Sequence, residues 1–392
     1  MAGTISRGIK APIIREGDDI VRIVADSVLK AAEEEGFRLH DRDVIAVTEA
    51  VVARADGNYC TVDDISADVH EKLGDTLGVV FPIMSRNRFA ICLRGIARGA
   101  KKIVLQLSYP ADEEGNHLID EDELFDAGVN PYSDVFTEAE FVARFGEPRH
   151  PFTGVNYLSY YRSLIEEEGA EAVILLANDP TAVLQYTDSV LVSNIHERER
   201  TVRRLDKAGA KRVLTLCDIM NASRNGSGFQ PEYGLLGSNK ATENVVKLFP
   251  KNAREVAEAI QKEIIARTGV RVEAMVYGDG AFKDPVGKIW ELADPVVSPG
   301  YTDGLIGLPN ELKLKYLADN EFKALSGEAL TAAIRARIRE KEKDLKGRMD
   351  SQGTTPRRLT DLIGSLCDLT SGSGDKGTPI VLVQNYFNNY AD

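Results

Sequence analysis

The chain has 392 residues, 43% of them hydrophobic and 28% charged, with a net charge of -13. That length holds two domains, or one domain with a large insertion, and the composition excludes wholesale disorder. The acidity argues against a general nucleic-acid binder, which needs a basic surface to neutralise phosphates. The cysteines (Cys60, Cys92, Cys217, Cys367) form no CxxC pair and suit free thiols in a reducing compartment. The five histidines make no HxH or HExxH, which counts against zinc. Residues 1–10 hold no secretory h-region, and no apolar run approaches the ~20 residues that span a bilayer. A cytoplasmic protein without nucleic-acid or membrane partners is expected.

In chain order, Ile20, Ile23, Val24, Val28 and Leu29 recur at helical spacing. Asp18 or Asp19 suits the N-cap of that helix, and Gly36 its end. A short apolar strand follows over 43–47. The middle carries the apolar runs KKIVLQL (101–107), AVILLA (172–177), SVLVS (189–193) and RVLTLC (212–217). Such runs suit strands buried on both faces of a parallel sheet. Helical stretches at 157–168 and 197–208 lie between them, which argues for an α/β unit. The polar stretch 110–154 has weak periodicity and reads as a lid or an elaborated loop. A helix is expected over 252–268, a strand over 271–276, a charged surface helix over 325–346 and a last strand over 378–384.

Three turns beside strands could carry chemistry. In Gly278-Asp279-Gly280, continuing to Asp284, two carboxylates stand at a strand's carboxyl end, where α/β proteins bind ligands. They offer the hard oxygens Mg²⁺ or Mn²⁺ prefer, while the competing reading is an Asp-Gly turn with solvated charges. Ser371-Gly372-Ser373-Gly374-Asp375-Lys376-Gly377 lets backbone N–H groups approach an anion, and equally has a linker's composition. Ser238 and Asn239 either cap a helix or bond a ligand. Arg86, Arg88, Arg94 and Arg98 either capture an anion or balance the acidic surface. No GxSxG, Cys-His or GxGxxG constellation is present, so covalent and nicotinamide chemistry lack support.

Taken in order, these segments resemble the coenzyme F-420-0:L-glutamate ligase (γ-glutamyl ligase) family. The likeness is carried by 11–20 (APIIREGDDI), 43–57 (DVIAVTEAVVARADG), 234–239 with the 252–268 helix and the 278–280 turn, and 374–379 (GDKGTP). It covers roughly 8–60 and 230–390; the middle has no counterpart in compact members. The resemblance implies an α+β fold of the family's own kind with an inserted α/β, parallel-sheet segment. The discontinuous ligase-like part is 1–84 with 226–392, and the insert is 85–225.

The activity so implied is an amide ligase, dependent on GTP (or ATP) and on Mg²⁺ or Mn²⁺, working as a homodimer. It joins L-glutamate, or a similar amine, to a small-molecule acid through an acyl phosphate. A non-catalytic nucleotide- or cofactor-binding protein, or another phosphoryl-transfer enzyme, is the alternative. By residue-wise match, Pro12, Ile13, Ile14, Glu49, Arg54, Asn239, Gly374, Asp375, Lys376 and Gly377 contact nucleotide. Asp279 binds metal, with Asp284 and Asp375 as further candidates. Arg54 stands where the family has lysine, and Leu236 where it has a metal-binding aspartate.

Overall fold

The computed structural model describes residues 3–278, 281–283, 290–292, 296–351, 357–371 and 374–392. Along the chain, β1 (Ile5–Ile9), α1 (Ile20–Glu35), β2 (Val44–Thr48), α2 (Glu49–Ala55) and β3 (Tyr59–Thr61) come first. Next are α3 (Val62–Leu73), β4 (Thr76–Val80), α4 (Phe89–Arg98) and β5 (Lys102–Leu107). An excursion holds α5 (Glu121–Asp126), β6 (Phe136–Thr137) and α6 (Glu138–Phe145). Then follow α7 (Tyr157–Glu167), β7 (Glu171–Leu176), β8 (Ser189–Val192), α8 (Arg198–Lys207) and β9 (Arg212–Thr215). The last part brings β10 (Asn239–Thr242), β11 (Val245–Lys247), α9 (Ala253–Thr268), β12 (Glu273–Tyr277), β13 (Ala281–Lys283) and β14 (Trp290–Leu292). It closes with β15 (Gly300–Tyr301), α10 (Leu314–Tyr316), α11 (Gly327–Arg339), α12 (Leu359–Ser371) and β16 (Ile380–Gln384).

Five strands, in the order β1-β16-β2-β12-β15, form the first sheet, with β2 and β12 parallel and the other pairs antiparallel. Period-2 alternation sends Ile45, Val47, Ala274, Val276, Ile380 and Leu382 to the face covered by α1 and α9. Val44, Ala46, Met275, Tyr277, Val381 and Val383 face α12. Both faces are buried, so β2 and β16 read as continuous apolar runs. Asp19 caps α1 by accepting from Arg22 N–H, and Gly36 ends it in the left-handed conformation.

The second sheet has the order β6-β7-β5-β4-β8-β9, parallel except for β6 on the edge. The four apolar runs of the middle are its β5, β7, β8 and β9, so the fold is α+β with a parallel-strand sheet, as expected. Its first strand, β4, lies before residue 85, where the sequence placed the start of the inserted unit. A small sheet β10-β11-β3 links the two.

The 110–154 stretch is an elaborated connection that holds α5, β6 and α6. Phe136 and Phe141 are buried there against Tyr109, with rings 5.7 and 6.5 Å from it. The charged helix ends at Arg339 rather than near 346, yet Leu345 still packs with Ile334 and Ile338. The chain beyond the helix is held instead by Asn310, whose side chain accepts from Leu345 N–H and whose carbonyl accepts from Lys341.

Candidate active site at a sheet edge

The first sheet brings four chain segments to one edge. β2 and β12 run parallel in register, Thr48 level with Tyr277, so both end there. β1 ends where β16 begins, Ile9 opposite Ile380. Ala11 N–H donates to the Gly377 carbonyl at 3.2 Å, and Thr48 N–H to the Pro379 carbonyl at 3.0 Å. The 11–14 segment, the start of α2 and the 374–379 turn, read from distant parts of the sequence, therefore meet. The carboxyl ends of strands are where α/β scaffolds expose ligand-binding loops.

Thr48 caps α2 through its hydroxyl, which accepts from Ala50 N–H at 3.4 Å. Glu49 follows in the first turn, where the helix dipole favours a carboxylate. It is buried, and both its oxygens accept from Lys247 Nζ at 2.8 Å. The side chains of the pair are 5% and 11% exposed. Lys247 lies opposite Asn239 in the β10–β11 ladder and opposite Tyr59 in the β11–β3 ladder. Asn239 is thus tied to Glu49 through one lysine that the sequence reading did not single out. Its partner is far away in sequence, and nothing local marks it.

The other expected residues are placed as follows. Pro12 and Ile13 are exposed, Ile13 at 79%, whereas Ile14 is buried beneath them in the α1–α9 core. Arg54 is exposed in the last turn of α2. Its charge opposes the upward push that burial gives the Tyr59 hydroxyl. Gly374, Asp375 and Lys376 form a short 3-10 turn; Asp375, Lys376 and Gly377 are exposed, and Gly377 adopts φ +65. Asp279 and Asp284 lie outside the described residues.

Among the described residues, no group of three or more His, Cys, Asp or Glu side chains is placed to hold a metal ion. The described carboxylates of this edge, Glu49 on Lys247 and the exposed Asp375, do not by themselves make a metal cage. Near the edge, Asn252 donates to Asp56 at 3.1 Å, and burial raises the Asp56 carboxyl. The remaining oxygens, Asp56 Oδ2 and Asn252 Oδ1, are buried and have no hydrogen-bond partner among the described residues.

Two segments resolve toward structural roles. Arg94 and Arg98 donate through Nε to Glu168 at 2.6 and 2.8 Å, and Arg98 also to Asp63 at 2.6 Å. These bonds bind α4 to α3 and to the end of α7. Leu236 is buried beside Leu216 and Leu235 in the core of the second sheet, which accounts for an apolar residue there. Gly237 next to it adopts φ +75, and a Cβ would stand 1.9 Å from the Phe249 ring.

The fold is thus a mixed α+β scaffold in which the 11–14 segment, the start of α2 and the 374–379 turn meet at one sheet edge, beside a second, doubly wound sheet. The family model described as F420-0:Gamma-glutamyl ligase matches residues 8–385, and the chain belongs to that family of amide ligases. The match spans the middle as well, and so is wider than the two end regions that carried the resemblance. No curated protein matches the sequence. Among the described residues, no helix is long and apolar enough to cross a membrane.

Proposed function

We propose that the protein is a nucleotide- and metal-dependent ligase that joins L-glutamate, or a similar amine, to a small-molecule carboxylic acid. A carboxylate oxygen of the acid attacks the γ-phosphorus of GTP, or of ATP in its place, and the nucleoside diphosphate leaves. The amine then attacks the acyl carbon of the acyl phosphate. Phosphate leaves, the amine loses a proton, and an amide remains. Such a reaction needs positioning and charge stabilisation rather than a protein nucleophile.

The observation that carries this reading is the convergence of the 11–14 segment, Glu49 with Lys247, and the 374–379 turn at one strand-end edge of a family ligase. In this reading Pro12, Ile13 and Arg54 flank the nucleotide, and the N–H groups of 374–377 face its phosphates. Mg²⁺ or Mn²⁺ is assigned to Asp279, Asp284 and Asp375, where it would neutralise phosphate charge. The enzyme works as a homodimer in the cytoplasm.

The test is calorimetric titration of GTP and ATP with Mn²⁺ present, followed by mass spectrometry of reactions holding glutamate and a panel of acids. Nucleoside diphosphate and a new amide are expected together. Absence of binding by either nucleotide refutes the proposal. Binding without turnover would favour the non-catalytic reading, which the buried Leu236, standing where the resemblance puts an aspartate, also favours.

A further inference from the structure

The excursion that leaves the carboxyl end of β5 folds around a cavity of its own. The cavity measures about 380 Å³, the size of a small-molecule site. The 117–120 segment, Glu123 of α5, α6 and the 146–151 segment wall it. Its floor is apolar. Leu118 and Ile119 are 6% and 8% exposed there, beside Phe141 and Phe145.

The polar groups of the wall are mostly acceptors. His117 Nδ1–H donates to the Gly115 carbonyl at 2.8 Å, so Nε2 of the neutral ring holds the lone pair. Asp120 caps α5 with one oxygen, which accepts from Asp122 N–H at 2.8 Å. Glu123, in the first turn of α5, makes no side-chain hydrogen bond or ion pair among the described residues. The α5 dipole favours both of these acids. It does not account for Glu147, which lines the cavity just past the carboxyl end of α6, where a helix dipole disfavours a carboxylate. The lining arginine, Arg149, is already shared. Its Nη2 stands 3.6 Å from Glu147, and its Nη1 donates to the Gly154 carbonyl at 3.3 Å. Three carboxylates and an imidazole lone pair thus surround an apolar floor, with one arginine against them. Among the described residues these acids make no metal-holding group, and the apolar floor suits an organic cation instead.

We propose that this cavity binds a small organic ammonium ion whose apolar arm lies on Leu118, Ile119 and Phe145. It is a second small-molecule site, built from residues other than those of the sheet edge, and it does not rest on the ligase reading. Glutamate, with two carboxylates and one ammonium, has the wrong net charge for it.

Phenethylamine is the probe and phenethyl alcohol its neutral counterpart, each titrated into the full-length protein by ligand-observed NMR at neutral pH. The amine is expected to bind saturably and more tightly than the alcohol. Glu123→Gln combined with Glu147→Gln weakens the amine by about tenfold, between the weight of exposed ion pairs and that of charge-assisted hydrogen bonds. Glu123→Asp combined with Glu147→Asp keeps part of the affinity, and both variants retain the parent's far-UV circular dichroism. Glu328→Gln, which removes an exposed acid of α11, leaves amine binding unchanged. The proposal is overturned if the parent shows no saturable amine binding, or if the alcohol binds as tightly. It is also overturned if the double Gln variant loses less than about twofold, or if Glu328→Gln loses as much as that variant. GTP titrated into the same samples reads the sheet edge separately: its failure to bind counts against the ligase reading and leaves the amine result standing.

Discussion

Lys247→Met strips the buried Glu49 of its ammonium. Two contacts of 2.8 Å, at an effective dielectric near 20, amount to a gross attraction of about 6 kcal/mol. The desolvation that already opposes it does not return when one partner goes, because Glu49 stays 4% exposed in the first turn of α2. Removing one member of such a pair costs about 3–5 kcal/mol. The double variant Glu49→Leu with Lys247→Met, apolar on both sides, is expected within about 1–2 kcal/mol of the parent. Urea unfolding followed by far-UV circular dichroism measures both. A Lys247→Met protein less than about 1 kcal/mol below the parent would refute the argument that this edge is braced by a desolvated pair. A double variant as unstable as the single one would refute the account of where the cost arises.

Glu168, its side chain 8% exposed, holds both Arg94 and Arg98; Glu168→Gln is expected to lose about 2–3 kcal/mol in the same unfolding assay. Gly237→Ala forces a Cβ into the Phe249 ring at φ +75 and should cost about 2–5 kcal/mol, seen as a lowered melting temperature. Burial, with the charges of Arg86 and His117, holds the His150 imidazole below its usual value of 6.5. The unfolded chain takes the proton first, so stability present above that value is lost as pH falls below it. His150→Gln should flatten the melting-temperature profile below pH 6.5, and an unchanged slope there would assign the pH dependence to other groups.

The strands of the second sheet were legible because burial on both faces writes them as apolar runs. β4 was not, because Gly78 interrupts TLGVV. The glycine is needed there: a Cβ would meet Val183 at 2.4 Å, where the 180–185 turn crosses the strand. α12 also escaped notice. Its buried face (Thr360, Ile363, Gly364, Cys367, Ser371) uses small and polar residues that blur the helical period. At the sheet edge, the motif segments could be found one by one, since glycine and acidic turns mark themselves. Their meeting could not, because the Ala11–Gly377 and Thr48–Pro379 bonds are set by strand register. Lys247 shows the same limit from the other side: an unremarkable lysine in VVK becomes the partner of Glu49 only once β11 lies beside β3.

The pairing of β1 with β16 sets an order on synthesis. All partners of the six-stranded sheet lie between residues 76 and 215 and have emerged before β12 and β16 exist. Domains fold as units while the chain is still being made. The doubly wound unit therefore stands first, and the N-terminal strand waits for residues 380–384 before its edge has a neighbour. On the ribosome, β4 and β8 are paired before the edge where β1 ends and β16 begins can close. A stalled chain ending before β16 should present an open, apolar sheet to the chaperones around it.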